Sequence, residues 1–259
     1  AAGTPPGVIL RCVRLALLSD LHANLEALEA CLAHAQAAGA EQWAFLGDLV
    51  GYGADPVAVV ERVAGYARRG AAVVLGNHDA ASLEGDTEFM NGPAAEAVRW
   101  TRQQLGERER EFLRGLPLSV SWGDVLFVHA SAEAPQEWIY VNDTYRAQRC
   151  FERSTARFVF VGHVHEQALY FQGPHGRPVP FSPKPGVPIP TPIHRRWLAI
   201  VGSAGQPRDG NTAAAYALAD LVKHTLTFHR VPYDWRTAAR KMRDAGLPEL
   251  LAARLEKGA

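Results

Sequence analysis

The chain has 259 residues, which suits one large domain, or a domain with small additions, and is long enough to bury a core without disulfides. Hydrophobic residues make up 47% of it and charged residues 21%, ordinary for a globular protein, and 27 Lys and Arg balance 27 Asp and Glu. That zero net charge excludes a global basic field drawing the protein to nucleic acid or an anionic membrane, though a local patch stays open. The three cysteines, Cys12, Cys31 and Cys150, are far apart and form no CxxC pair, which favours a reducing compartment. Residues 1–7 lack the basic start of a signal peptide, and no apolar run reaches the roughly 18 residues of a membrane helix. The expectation is a cytoplasmic protein.

In chain order, residues 13–18 form a short apolar run ending at Ser19-Asp20, the mark of a buried strand. Leu25, Leu28 and Leu32 then recur at helical spacing, with Gly39 where a helix C-cap belongs. Residues 42–46 read as a second strand, ending in Gly47-Asp48. Asp55-Pro56 supplies an N-cap and a first-turn proline to a helix carrying Val59, Val60, Val63 and Ala67. Residues 71–75 are a third strand, closed by Gly76-Asn77-His78-Asp79. This strand–helix alternation predicts a parallel sheet with crossover helices, and ligands of such sheets lie beyond the carboxyl ends of the strands.

Residues 80–114 look helical, and the charges of residues 107–111 read as a solvated face. Residues 118–122 and 125–128 flank a Gly123-Asp124 turn, a hairpin signal, and the second strand ends at His129. A short helix over 143–152 precedes a strand over 157–161, which runs into Gly162-His163-Val164-His165; residues 167–171 follow as a strand. Residues 173–192 are too rich in proline and glycine for a helix or a central strand, and read as a loop or ribbon bordering the pocket. Strands are expected over 197–201, 214–219 and 225–229, and two helices over 235–245 and 248–256. The division that follows is a main domain over 8–232 and a helical extension over 233–259 packed on it.

The chemistry lies at the strand ends. His22, His78, His129, His163 and His165 each stand just past an apolar strand, and Asp20, Asp48 and Asn77 share that placement. A strand end is a rigid mount and the turn beyond it is open to solvent. A single histidine is more often a core or surface residue, and His34, His175, His194, His224 and His229 are left as such. A set of oxygens and neutral imidazoles without thiolate suits Mn, Fe, Ni, Co or Zn. Two such ions about 3.5–4 Å apart need a bridging carboxylate, and together they lower the pKa of a shared water.

Taken in order, Asp20-Leu21-His22, Gly47-Asp48, Gly76-Asn77-His78-Asp79, His129 and Gly162-His163-Val164-His165 resemble the motifs of the calcineurin-like metallophosphoesterase superfamily. The likeness implies a four-layer α/β/β/α sandwich of two mixed sheets flanked by helices. It implies two divalent metal ions: Asp20, His22 and His165 hold the first, Asn77, His129 and His163 the second, and Asp48 bridges them. His78 would stabilise charge or protonate the leaving oxygen, oriented by Asp79. The residues after Gly47-Asp48 and after His78, and His129-Ala130, depart from the protein Ser/Thr phosphatases. They look more like compact bacterial YfcE-type phosphodiesterases.

The function implied is hydrolysis of a small phosphodiester or nucleotide by a metal-bridging hydroxide, with a diester favoured over a monoester. By position alone, Asn24 and Arg208 are candidate substrate contacts, and Tyr52 and Trp138 candidate pocket linings. Gly202-Ser203 and Gly205 either cradle phosphate or, the favoured reading, only permit a tight bend. The alternative is a catalytically weak metal-binding interaction scaffold of the same fold. Balanced charge disfavours a polymeric nucleic acid as substrate, no membrane partner is expected, and a homo-oligomer is left open.

Overall fold

A computed structural model describes residues 14–83 and 90–259. The readings made for residues 1–13, Cys12 among them, and for 84–89 lie outside the described residues.

The chain opens with strand β1 (Arg14–Leu18), helix α1 (Leu25–Ala37), β2 (Gln42–Phe45), α2 (Pro56–Ala67) and a two-residue β3 (Ala72–Val73). Three helices follow: α3 (Asn77–Leu83), α4 (Gly92–Gln104) and α5 (Glu107–Arg114). Next come β4 (Ser119–Trp122), β5 (Val125–Val128), α6 (Thr144–Glu152), β6 (Phe158–Val161) and β7 (Gln167–Gln172). The last part holds β8 (Pro178–Phe181), β9 (Ile189–Pro190), β10 (Trp197–Val201), β11 (Ala214–Asp220), β12 (Thr225–Val231), α7 (Trp235–Asp244) and α8 (Glu249–Lys257).

Two mixed six-stranded sheets result, in the orders β3-β2-β1-β11-β12-β9 and β4-β5-β6-β10-β7-β8. The parallel pairs are β1 with β2, β2 with β3, β5 with β6 and β6 with β10. Period-two side-chain alternation decides what each face buries. Leu15 and Leu17 of β1 point between the sheets, where they meet Phe127, Phe158, Phe160 and Phe228. Ala16 and Leu18 point the other way, onto Leu28 and Leu32 of α1 and Val59 and Val63 of α2. On the far sheet Val159, Val161, Leu198 and Ile200 pack against Cys150 and Phe151 of α6. Helices, sheet, sheet and helix make the four-layer sandwich. Each fully buried Leu or Phe contributes about 1.5–3 kcal/mol of transfer free energy.

The last two helices pack on α4 through Ala94, Ala97, Ala238, Met242, Leu251 and Leu255. Lys241 of α7 reaches Glu26 at 2.5 Å and Asp55 at 2.9 Å. Asp55 precedes α2 as expected, but its side chain makes no cap bond and takes this ion pair instead.

The proline-rich stretch, expected as a loop or ribbon, contributes two short strands. Its two short strands are the outer edges of the two sheets, β8 beside β7 and β9 beside β12. Proline is tolerated there because an edge strand has a row of amides with nothing to pair. Among the described residues no helix is long and apolar enough to cross a membrane.

Candidate metal centre

The parallel strands of both sheets deliver their carboxyl ends to one rim. Asp20 and His22 follow β1, Asp48 follows β2, Asn77 and His78 follow β3, His129 follows β5, and His163 and His165 follow β6. The turns are knitted to one another by backbone bonds. Asp20, His22 and Ala23 donate their amides to the carbonyls of Gly47, Asp48 and Leu49 at 2.9–3.0 Å.

The two carboxylates are each held by one oxygen. Asp20 Oδ2 accepts from the His163 amide at 3.0 Å, and Asp48 Oδ1 from the His78 amide at 2.8 Å. The remaining oxygens face imidazoles. Asp20 Oδ1 lies 3.3 Å from His165 Nε2 and 3.8 Å from His22 Nε2. Asp48 Oδ2 lies 3.4 Å from His129 Nε2 and 3.8 Å from His22 Nε2. Asp48 therefore stands between two groups of possible ligands: Asp20, His22 and His165 on one side, His129 and His163 on the other. Asn77 Oδ1 joins the second group, 3.0 Å from His129 Nε2.

The outer nitrogens decide what the inner ones are. His22 Nδ1 faces the Val50 carbonyl at 3.3 Å, His129 Nδ1 that of Leu46 at 2.7 Å, and His165 Nδ1 that of Gln206 at 2.7 Å. A carbonyl only accepts, so each Nδ1 carries the hydrogen, and each ring when neutral turns a lone pair inward. His22 Nε2 and His165 Nε2 then oppose each other at 3.1 Å with no hydrogen between them. His163 Nε2 and Asp20 Oδ1 are buried without a hydrogen-bond partner. Such a ring of acceptors costs free energy unless positive charge fills it.

A proton can fill only part of it. Burial disfavours the charged form of His129, but Asp48 and Asp20 outweigh this and raise its pKa to about 9. Burial and the His129 charge push His163 down to about 3, and burial with His165 depresses His22 well below its usual value. Burial opposes ionisation of Asp20 and Asp48, yet the histidines win and hold both carboxyls well below the usual range. The donor set thus fits divalent cations, which bind imidazole and carboxylate with the second nitrogen anchored as it is here.

The backbone at these positions is unusual. Asp20, His22, Asp48, His163 and His165 have φ between 47° and 68°, as do Ala23 and Tyr52. Left-handed backbone costs roughly 1–2 kcal/mol per residue and persists where the surroundings over-determine it.

His78 sits beside the centre, its ring 5.0 Å from that of His22 and 4.4 Å from that of Tyr52, and its Nδ1 has no hydrogen-bond partner. Burial lowers its pKa to about 4 against the pull of Asp48, so the ring is neutral near pH 7. Asp79 does not orient it, contrary to the expectation. Its Oδ1 accepts from the Leu49 and Val50 amides and its Oδ2 from the Gly76 amide, so its carboxyl pins two turns together.

Asn24 is a second correction. It is 3% exposed; its Oδ1 caps α1 at the Ala27 amide, and its Nδ2 donates to Gly205 O and Tyr233 Oη. No polar atom is left to meet a substrate. Gly202-Ser203 and Gly205 follow the bend reading. The Ser203 hydroxyl donates to Asp20 O at 2.8 Å, and a Cβ on Gly205 would sit 1.9 Å from Leu21 O. Arg208 does reach the rim, with Nη2 3.0 Å from Gln206 Oε1 and 3.4 Å from Tyr52 Oη. Trp138 lies edge-on to His129 at 5.9 Å between ring centroids. One neighbour escaped the sequence reading. Tyr140 stacks on His163 at 3.9 Å and 25°, and no periodicity marks a loop residue for that role.

Known proteins share this fold. The model of the calcineurin-like phosphoesterase superfamily domain matches residues 13–224, and the chain belongs to that superfamily. Its fold and its cluster of histidines and aspartates make it a metallophosphoesterase. An uncharacterized protein of Methanocaldococcus jannaschii is 32% identical over 249 residues, covering 94% of this chain and 98% of that protein. The crystal structure of a metallophosphoesterase from Sphaerobacter thermophilus is similar with a TM-score of 0.84 and 35% identity, covering 96% of this chain and all of that one. A hypothetical protein from Pyrococcus horikoshii shares the fold at a TM-score of 0.76 and 20% identity, covering 95% and 99% of the two chains.

Proposed function

We propose that the protein hydrolyses a small phosphodiester or nucleotide with the help of two divalent cations. Asp20, His22 and His165 would hold one, Asn77, His129 and His163 the other, and Asp48 would serve both. The observation that carries this reading is the pair of imidazole lone pairs of His22 and His165 facing each other at 3.1 Å, beside Asp20 Oδ1 without a partner. When bound, the cations would supply a nucleophilic water at neutral pH and offset the charge of the phosphoryl oxygens.

The chain's own residues do the rest. The backbone carbonyls behind His22, His129 and His165 fix the tautomers and aim the rings. His78, neutral and with a free Nδ1, donates a hydrogen bond to the leaving oxygen and eases its departure. Arg208 meets the charge of the ester from the rim. The narrower likeness to YfcE-type phosphodiesterases rests on the motif residues quoted above, as does the preference for a diester.

The test is hydrolysis of an aryl phosphodiester with manganese, and with Fe, Ni, Co and Zn in turn, beside an aryl monoester. Measurable turnover of the diester is expected, with Asp48→Asn reducing both metal content and rate. His78→Ala is expected to keep its metal and lose a factor of about 10²–10³ in kcat, the range for removing one hydrogen-bond donor from developing negative charge. A parent protein inert with every metal would falsify the phosphoesterase reading.

A further inference from the structure

We propose that Tyr140 is the platform on which a planar group of the substrate stacks, an aryl ring or a nucleobase, while Arg208 meets the ester's charge. The inference rests on the reading that the neighbouring centre takes a phosphate ester.

Seven large hydrophobic side chains are exposed among the described residues: Tyr140, Tyr145, Phe181, Val187, Ile193, Val222 and Leu250. Of these, Tyr140 alone has a recorded ring contact with a residue of the centre. One face of its ring lies on His163 at 3.9 Å and 25°, yet the residue is 48% exposed. A tyrosine so placed to fill the core would be covered on both sides. This one stacks on the centre and is still about half exposed.

The ring is held in that position. Val141, the next residue, is 1% exposed and packs with Val159, Val161 and Phe151 beneath the loop. Asp143, two residues further, accepts from the Arg146 amide at 2.7 Å and fixes the start of α6. On the other side, Trp138 takes a left-handed φ of 52° and lies edge-on to His129. A buried anchor and a helix cap therefore present an exposed ring without much freedom to turn, which lowers the entropy lost on binding.

The chemistry of the surroundings narrows the ligand. Tyr140 stacks on His163 at the centre, and Arg208 Nη2 reaches Tyr52 Oη, whose ring lies 4.4 Å from those of His22 and His78. Arg208 keeps a buried Nε with no hydrogen-bond partner, beside the Nη2 that already meets Tyr52 and Gln206. An anion at the centre and a flat group over Tyr140 would satisfy the two together. A planar ring covers an aromatic face in full, whereas a saturated chain touches only part of it, and stacking tolerates any base because every base has a π-face.

The experiment compares binding to manganese-loaded protein by calorimetry, with two pairs of probes that differ in the planar group. Adenosine monophosphate is set against ribose 5-phosphate, and phenyl phosphate against butyl phosphate. The aromatic member of at least one pair should bind about tenfold tighter. The pair that shows it tells a base from an aryl ring. Tyr140→Ala should remove the difference while the protein keeps its manganese, and Tyr140→Phe should retain it. The inference is overturned if neither pair shows a preference, if no probe binds, or if the preference survives in Tyr140→Ala. Turnover of the diester without any such preference defeats this inference alone. A preference in a protein that hydrolyses nothing defeats only the hydrolytic reading.

Discussion

At the scale of single residues, the centre depends on backbone that few side chains tolerate. Aspartate and histidine are among the residues least penalised at positive φ, which is why Asp20, His22, Asp48, His163 and His165 can combine a candidate ligand side chain with a left-handed turn. Gly51 shows the same constraint without a ligand. Its φ is +86°, and a Cβ there would lie 2.7 Å from His78 Nδ1 and 3.1 Å from His78 Cβ. Gly51→Ala is therefore expected to displace the His78 ring, lowering kcat by at least about tenfold, or about 1.4 kcal/mol of barrier. Metal content measured by mass spectrometry should stay near that of the parent, because the three atoms nearest such a Cβ all belong to His78. Equal rates for Gly51→Ala and parent would remove His78 from the chemistry.

At the scale of elements, each strand places its ligand on a turn whose hydrogen bonds are made with the next turn. Asp79 and Asn24 belong to this framework. Both have the residue type of a site group, and both spend their polar atoms on backbone. Asn24→Ala removes an N-cap worth about 1 kcal/mol and two further hydrogen bonds of about 1 kcal/mol each. For a chain of this size that predicts a thermal midpoint lower by roughly 6–12 °C. KM for whichever ester the protein hydrolyses should not move, and a large rise in KM would restore Asn24 to the substrate contacts. The proline-rich stretch follows the same logic of backbone bonding. Its prolines at 178, 180 and 190 lie on edge strands, where missing amides cost no ladder bond.

At the scale of the whole molecule, the two sheets bring Asp20 and His165, 145 positions apart, to within 3.3 Å. The packing of α1 against the first sheet also brings a second group of rings together around the buried Tyr216. His229 of β12 stacks on Tyr216 at 4.8 Å and faces His34 at 5.1 Å, with Cys31 and Arg230 nearby. Burial, helped by His34, lowers the His229 pKa from 6.5 to about 4. The unfolded chain therefore takes up a proton there that the folded chain refuses. This stabilising contribution is complete above pH 6.5 and is lost as pH falls toward 4. Urea midpoints at pH 7 and pH 5 should differ in the parent, and His229→Gln should narrow the difference. A difference of the same size in the variant would place the acid sensitivity elsewhere, with the histidines of the centre the first alternative.

The sequence by itself determined the alternation of strands and helices, the places where strands end, and the types of ligand mounted there. Those are local matters: apolar runs, glycine turns, and an aspartate or histidine at a fixed offset from them. That is why the motifs from Asp20 to His165 could be grouped before any contact was known. Tertiary structure alone decided which polar side chains remain free for chemistry. Asn24 and Asp79 look like site residues in the chain, but backbone groups from three to 181 positions away engage their oxygens and nitrogen. Tyr140 looks like a loop residue and yet stacks on a ligand candidate. A hydrogen bond to a distant backbone, or a ring laid on another ring, leaves no periodicity to read, because it depends on how two sheets pack rather than on spacing along either one.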